Sequence, residues 1–316
     1  MRNASEVFKK RDSKVFDKIR PYAYLSPALI SIFILTFLPI VYTLYIAFTN
    51  YNLNHIDNYS LVGFENFKYI LNGPLKNIFI PVFGWTVIFA AISTLGPFLL
   101  GLVIAMMLNN QHMKEAPVYK AILVLPWALP ATIAVLAWSG LFNAEYGGIN
   151  VILKSLHLIN SPIPWLSNAN WARVGLILAN LWLGFPYMMN VSLGALSSIP
   201  PTYYEAADLD GASEWQKFLK ITLPTITDTA LPLLISSFAF NFNNFGSAYL
   251  ITGGGPARLD TQYAGSTDIL VSAAYKMSLI YNRYDLGAAL SIIIFLVIAT
   301  VSIAQMRMTN AFKEVN

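Results

Sequence analysis

Six long apolar stretches that carry almost no charge constrain this chain more than any other feature. They run over Tyr24–Phe48, Val82–Leu108, Tyr119–Phe142, Val174–Leu196, Thr229–Ile251 and Leu286–Gln305. About 20 consecutive apolar residues in a helix cross the hydrocarbon core of a bilayer, and each stretch reaches that length. Of the 316 residues 56% are hydrophobic and only 11% charged, with a mean hydropathy of +0.55. A water-soluble surface cannot be built from so few charges. The expectation is an all-α membrane protein with six transmembrane helices. Disorder, a fibrous protein and an ordinary soluble enzyme are excluded.

The basic residues set an orientation. Seven of the 20 lie in the first 20 positions: Arg2, Lys9, Lys10, Arg11, Lys14, Lys18 and Arg20. On a membrane chain such a cluster reads as a topology signal or a contact with anionic lipid, not as a nucleic-acid site. With the N-terminus inside, cytoplasmic segments hold thirteen basic residues and external ones seven. Both termini are therefore expected in the cytoplasm. The expected organisation is a basic cytoplasmic tail over 1–21, a six-span domain over 22–307 and a cytoplasmic C-terminus over 308–316. The first apolar run has no small-residue cleavage site, so it is not expected to be a signal peptide.

The chain has no cysteine, and His55, His112 and His157 share no ligand spacing. No disulfide, metal site or cysteine nucleophile is expected. No loop reaches the roughly 50 residues that an inserted catalytic domain needs. In the external segment 49–77, the spacing of Phe64, Phe67, Ile70 and Leu71 suits a helix lying at the interface. Tyr146-Gly147-Gly148 and Pro162-Ile163-Pro164-Trp165 read as turns. Thr252-Gly253-Gly254-Gly255-Pro256 reads as a sharp reversal after the fifth stretch.

The segment between the fourth and fifth stretches carries the densest signal. Pro200 and Pro201 stop the fourth stretch. Thr202 is expected to cap a short helix, with Glu205 as its capping-box partner. Tyr204, Ala207 and Leu209 give that helix an apolar side, and Gly211 suits a turn with positive φ. A second amphipathic helix carries Trp215, Phe218, Leu219 and Ile221, and Pro224 is expected to end it. Five of the 16 acidic residues fall in 197–228 (Glu205, Asp208, Asp210, Glu214, Asp228). Glu205-Ala206-Ala207, three residues, Gly211, nine residues, then Ile221-x-Leu223-Pro224 resembles the EAA loop of binding-protein-dependent ABC importer permeases at every fixed position. That resemblance implies a coupling helix seated in a groove of a separate ATP-binding subunit, with Glu205, Ala206, Ala207 and Gly211 as its coupling residues.

Polar groups at membrane depth are expensive, and by default functional. At about 100° per residue, Ser237, Phe240, Asn241 and Asn244 fall within roughly a 100° arc of the fifth stretch. Amides, a hydroxyl and an aromatic ring on one face suit a neutral polyol. Isolated Asn or Ser more often bond between helices, and Asn243, on another arc, reads as structural. In the fourth stretch Asn180, Gly184 and Tyr187 share a face, and Pro186 can free backbone carbonyls. Pro97, Pro126 and Pro130 either shape a pathway or accommodate helix packing. The seven Trp and 17 Tyr mostly suit interfacial belts. No stretch holds Asp, Glu, Lys or Arg near its middle, which argues against an ion-driven carrier and against an intramembrane enzyme.

Trp182-Leu183-Gly184-Phe185-Pro186-Tyr187, the run Ser237 to Phe245, the run Leu250 to Pro256 and the run Ala264 to Val271 resemble the MalF-type subunit of maltose/maltodextrin importers. The resemblance implies the type I ABC importer permease fold in a bacterial cell membrane. It implies that Gly184, Tyr187, Ser237, Phe240, Asn241 and Asn244 line a mid-membrane sugar site. It also implies a second homologous permease, two ATP-binding subunits, an external solute-binding protein and an α-linked gluco-oligosaccharide substrate, with another oligosaccharide as the alternative. No GxxxxGK[ST] motif is present, so no cofactor is expected on this chain, and ATP–Mg is expected on the partner subunits. The best-known member has an extra pair of N-terminal spans and a large external domain. This chain is expected to lack both, which leaves the short external loops to meet the binding protein.

Overall fold

A computed structural model describes residues 20–110 and 113–308 of the chain. Arg2 to Lys18 of the basic cluster, His112 and residues 309–316 lie outside the described residues. The described residues are helical, without a β-strand beyond one bridge pair, Thr49 with Leu61.

Helix α1 (Arg20–Ala47) runs through Pro39 without a break. A proline inside a helix lacks its N–H, and its ring collides with the carbonyl four residues back. Here a π-helical turn over Phe33–Phe37 comes just before it, and the Leu38 N–H reaches the Phe33 carbonyl. The widened turn makes room for the ring. The predicted interfacial helix is α2 (Glu65–Leu71), with Ile70 buried and Phe64 and Leu71 exposed. Its Asn66 donates to the Ala47 carbonyl at 2.9 Å and the Thr49 carbonyl at 2.7 Å, closing off the end of α1.

Helix α3 (Lys76–Leu108) is one continuous element. The third apolar stretch is not. It divides into α4 (Ala116–Leu123), α5 (Leu125–Ala128) and α6 (Ala131–Leu141). Leu129 (ψ 143°) and Pro130 (ψ 122°) leave the helical region between α5 and α6. The residue before a proline is pushed out of the helical region, and Pro130 follows Leu129. Five helices among the described residues, not six, are therefore long and apolar enough to cross a membrane. Next come α7 (Gly148–Ser155), α8 (Ala169–Ser197) and the short α9 (Pro201–Leu209).

The fifth stretch also departs from expectation. Helix α10 (Glu214–Phe242) starts well before it and stops inside it, and α11 (Phe245–Thr252) follows. Pro224 does not end a helix. A second π-helical turn, over Phe218–Thr222, carries the chain past it, with the Leu223 N–H on the Phe218 carbonyl. The break falls instead at Asn243 and Asn244. The Asn244 side chain accepts from the Ser247 N–H at 3.2 Å and so caps α11. An amide that bonds its own backbone competes with helix continuation. The chain closes with α12 (Leu270–Ile280) and α13 (Tyr284–Met308).

Three buried clusters hold these helices together. Ile46, Ile70, Val82, Phe242, Leu270, Leu286 and Leu290 join α1, α2, α3, α10, α12 and α13. Phe98, Leu102, Met188, Met189, Leu196, Ile199 and Ile226 join α3, α8 and α10. Trp85, Phe89, Phe142, Trp165, Leu176, Ile251 and Ile269 form the third. Between α3 and α8 the backbones nearly touch: a Cβ at Gly101 would lie 2.5 Å from the Met189 nitrogen and 2.9 Å from the Phe185 carbonyl oxygen. Lipid gives no hydrophobic drive between helices, so close packing at small residues supplies the attraction.

The reversal after α11 is built around one carboxylate. Gly253 (φ 62°) and Gly254 (φ 77°) turn the chain. Asp268, 1% exposed, accepts from the Gly265 N–H at 2.6 Å, the Ser272 hydroxyl at 2.7 Å and the Lys276 ammonium at 2.6 Å. A buried charge is tolerable when paired and fully hydrogen-bonded in this way. Trp85 donates to the Thr267 carbonyl at 3.2 Å, and Arg173 to the Ser266 carbonyl at 3.0 Å. The Arg173 guanidinium also lies 4.8 Å over the Trp85 ring, so the reversal is bolted to both α3 and α8.

Two substitutions probe these contacts by thermal unfolding of the detergent-purified protein. Gly101→Leu forces α3 and α8 apart and is expected to cost about 1–3 kcal/mol. Asp268→Ala strands the Lys276 ammonium and is expected to cost about 3–5 kcal/mol. An unchanged unfolding midpoint for either variant contradicts the corresponding contact.

Candidate functional site

A cavity of about 530 Å³ lies among α3, the broken α4–α6 segment, α8 and α10. Its wall brings together all six residues singled out for a sugar site: Gly184, Tyr187, Ser237, Phe240, Asn241 and Asn244. The four from the fifth stretch do not share one helix face as expected. Ser237, Phe240 and Asn241 come from the last turns of α10, whereas Asn244 sits outside it as the cap of α11. The break, rather than helical periodicity, turns Asn244 toward the same space. Irregular backbone at membrane depth survives where it lines a cavity, and here both broken segments do so.

The amides have two jobs. Asn241 donates to the Ser93 carbonyl and to the Thr94 hydroxyl, both at 3.2 Å on α3. Asn244 donates to Asn180 of α8 at 3.3 Å, and Asn180 in turn donates to its own Leu176 carbonyl at 2.9 Å. These bonds tie the end of α10 to α3, and the start of α11 to α8, so interhelical bonding and cavity lining coexist in the same side chains. Asn243 faces out of the fold and takes no part in the wall. Gly184 allows close approach: a Cβ there would meet Pro97 Cγ of α3 at 3.0 Å.

Sequence reasoning missed part of the wall. Ser93, Trp127, Leu129, Leu183 and Met188 also line it. Trp127 stands beside Tyr187, ring centroids 6.2 Å apart. Phe240, 70% exposed, stands at the open side. Of the three prolines left open between shaping a pathway and helix packing, Pro97 and Pro126 lie in the wall and Pro130 does not. Among the described residues, no Asp, Glu, Lys or Arg lines the cavity. Such a wall offers aromatic faces, hydroxyls and amides to a neutral solute.

The second candidate surface is α9 with its turn. Thr202 does not cap it. Pro200 holds the cap position with ψ 131° and Pro201 the first helical position, where a missing N–H costs nothing. The capping box lies one element later, between Ser213 and Gln216 at the start of α10. Gly211 has φ +73°, the left-handed conformation expected of it. Glu205 and Ala206 are exposed and Ala207 half-buried. Leu209 does not pack beneath α9 but projects outward, 91% exposed. Tyr203 and Trp215 are exposed as well, and Trp215 stacks on Phe218 at 5.3 Å. Exposed small, acidic and apolar residues together make a surface suited to a protein partner.

Known proteins agree with this architecture. Over residues 85–312 the chain matches the family described as binding-protein-dependent transport system inner membrane component. It is 39% identical to the galactooligosaccharides transport system permease protein GanP of Bacillus subtilis, across 93% of this chain and 71% of that protein. It is 37% identical to the maltodextrin transport system permease protein MalC of Streptococcus pneumoniae, across 94% of this chain and 71% of that protein. It is 38% identical to the maltose/maltodextrin transport system permease protein MalF of Klebsiella aerogenes, across 79% of this chain and 49% of that protein. A bacterial ABC transporter involved in the import of the acidic polysaccharide alginate shares the fold, with a TM-score of 0.76 at 23% identity over 96% of this chain and 100% of that one. The chain belongs to the family of binding-protein-dependent transport system inner membrane components, and is a membrane permease subunit rather than an enzyme.

Proposed function

We propose that this chain is a transmembrane subunit of an ATP-driven sugar importer and forms half of the pathway for an α-linked gluco-oligosaccharide delivered by an external solute-binding protein. One observation carries the reading: a cavity deep among the helices, with no charged residue in its wall, lined by Ser237, Asn241, Asn244, Trp127, Tyr187 and Phe240. Hydroxyls and amides satisfy sugar hydroxyls, and aromatic faces pack on the apolar faces of pyranose rings. The names of the MalC and MalF relatives supply the α-glucan. The name of GanP, 39% identical, favours a second reading in which the solute is a galacto-oligosaccharide.

In this reading the chain crosses the membrane six times. The third crossing is made by the broken segment from Ala116 to Leu141, and both termini are cytoplasmic. A second, homologous permease completes the pathway. Two ATP-binding subunits carry ATP–Mg, and one of them receives α9, with Glu205, Ala206, Ala207 and Gly211 at the contact. Closure of those subunits on ATP pushes α9 and the matching helix of the second permease together. Helices α8 and α10 then rearrange, and the cavity opens alternately to the two sides.

Stimulation of ATP hydrolysis in the assembled, reconstituted importer by its loaded binding protein tests the reading. Maltotriose is expected to stimulate. If a β-galacto-oligosaccharide stimulates and maltotriose does not, the second reading replaces the first. Two variants address the cavity. Gly184→Leu fills it against Pro97 and is expected to abolish uptake. Ser237→Ala removes one hydroxyl and is expected to slow uptake roughly 2- to 10-fold, the worth of a single neutral hydrogen bond. Normal uptake by Gly184→Leu contradicts the cavity as the path.

A further inference from the structure

The turn between α9 and α10 does not by itself fix the angle between them. Gly211 has open space around it, with nothing within 4 Å of a Cβ built there. The linker over 210–213 is held mainly by backbone bonds of the turn itself. Among the described residues, two side-chain bonds cross from α9 to α10. Lys217 donates to Asp208 at 2.6 Å, and Tyr204 shares a hydrogen bond with Thr222 at 2.8 Å. The Lys217 ammonium is shielded, its side chain 10% exposed, and is also paired with Glu214 at 2.5 Å. Tyr204 packs with Ile221 against the buried group of Leu196, Ile199 and Ile226.

These bonds leave the short helix one turn apart, from Tyr204, the fourth of its nine residues, and from Asp208 near its end. Two separated points define an orientation where one defines only a pivot. Beyond them, α10 runs through its π-helical turn without a break to Asn241, whose amide lines the cavity. Tyr204 and Asp208 turn toward α10, while Glu205 and Ala206 stay exposed on α9.

We propose that Lys217 and the Tyr204–Thr222 bond lock α9 onto the start of α10, so that the two helices move as one lever from the partner-facing surface to Asn241. Lys217 is then a positioning residue: it touches neither ATP nor solute, and it keeps movement of α9 from being absorbed by rotation at Gly211. Asp208, Glu214 and Lys217 act as one unit, with the carboxylates in water and the ammonium beneath them. The inference rests on the importer reading given above.

The test is maltotriose uptake per ATP hydrolysed, measured in proteoliposomes holding the whole complex and supplied with the binding protein. A structural role alone lowers uptake and hydrolysis together and leaves that ratio unchanged. Lys217→Met is expected to lower it at least about 5-fold, the lower edge of a typical coupling between sites. Lys217→Arg should retain it, and Tyr204→Phe should lower it less. The chain has no cysteine, so Asp208→Cys with Lys217→Cys allows a selective tether. That pair should be uncoupled, and should regain coupling when bridged by a short bifunctional thiol reagent. If Lys217→Met does not assemble, Tyr204→Phe and the bridged pair decide. A wild-type ratio in the variants, or a bridge that restores nothing, overturns the lever while wild-type uptake upholds the importer. If the wild type takes up a β-galacto-oligosaccharide and not maltotriose, the ratio is read with that sugar; absence of ATP-dependent uptake of both overturns the importer reading and the lever with it.

Discussion

Every backbone N–H and C=O at membrane depth needs a partner inside the protein, because lipid supplies none. The rest of this structure follows from how that demand is met. Where the chain has good helical sequence it forms long unbroken helices. Where a proline interrupts, at Pro39 and Pro224, a π-helical turn moves the ladder by one residue and the helix continues. Where the helix does break, at Leu129–Pro130 and at Asn243–Asn244, the freed groups face a cavity or are capped by a side chain. Both breaks adjoin the cavity, with Leu129 and Asn244 in its wall.

The two ends of the molecule are built on different principles. The end bearing the Gly253–Gly254 reversal is bolted down by the Asp268 carboxylate, by Arg173 over Trp85 and by Trp85 on Thr267. Asp268 is buried there and accepts three hydrogen bonds, so its surroundings resist local change. The end bearing α9 keeps its carboxylates in water and relies on few bonds across a glycine turn. Fewer buried contacts mean a lower cost of local rearrangement. An alternating-access pathway with its moving part at the α9 end and its fixed part at the other is consistent with that asymmetry.

Much of this was legible in residues alone. Gly211 was assigned a positive φ because only a residue without Cβ takes it freely, and the structure has it there. Pro200 and Pro201 ended α8, and Gly253 reversed the chain. Ser237, Phe240, Asn241 and Asn244 stand out by chemistry and Gly184 and Tyr187 join them through the family resemblance, and all six meet in one wall. Two local readings failed for identifiable reasons. Thr202 lost its cap to Pro201, which suits the first helical position and needs no bond. Pro224 did not end its helix, because a wider turn upstream removed the clash. Trp127 enters the wall without a sequence signal, because periodicity does not show which helices lie side by side.

The sequence by itself determined the membrane class, the helical fold, the neutral character of the polar residues at depth and the partner-facing motif at Glu205 to Pro224. These depend on composition and short-range spacing, which need no knowledge of neighbours. Only the tertiary structure decided that the third stretch breaks, that Asn244 reaches the cavity from outside α10, and that Lys217 meets Asp208 across the turn. Each of those depends on which helices lie side by side. A break in the backbone ladder is stable only if a neighbouring helix or a cavity receives the freed groups, and that neighbour is far away in the chain.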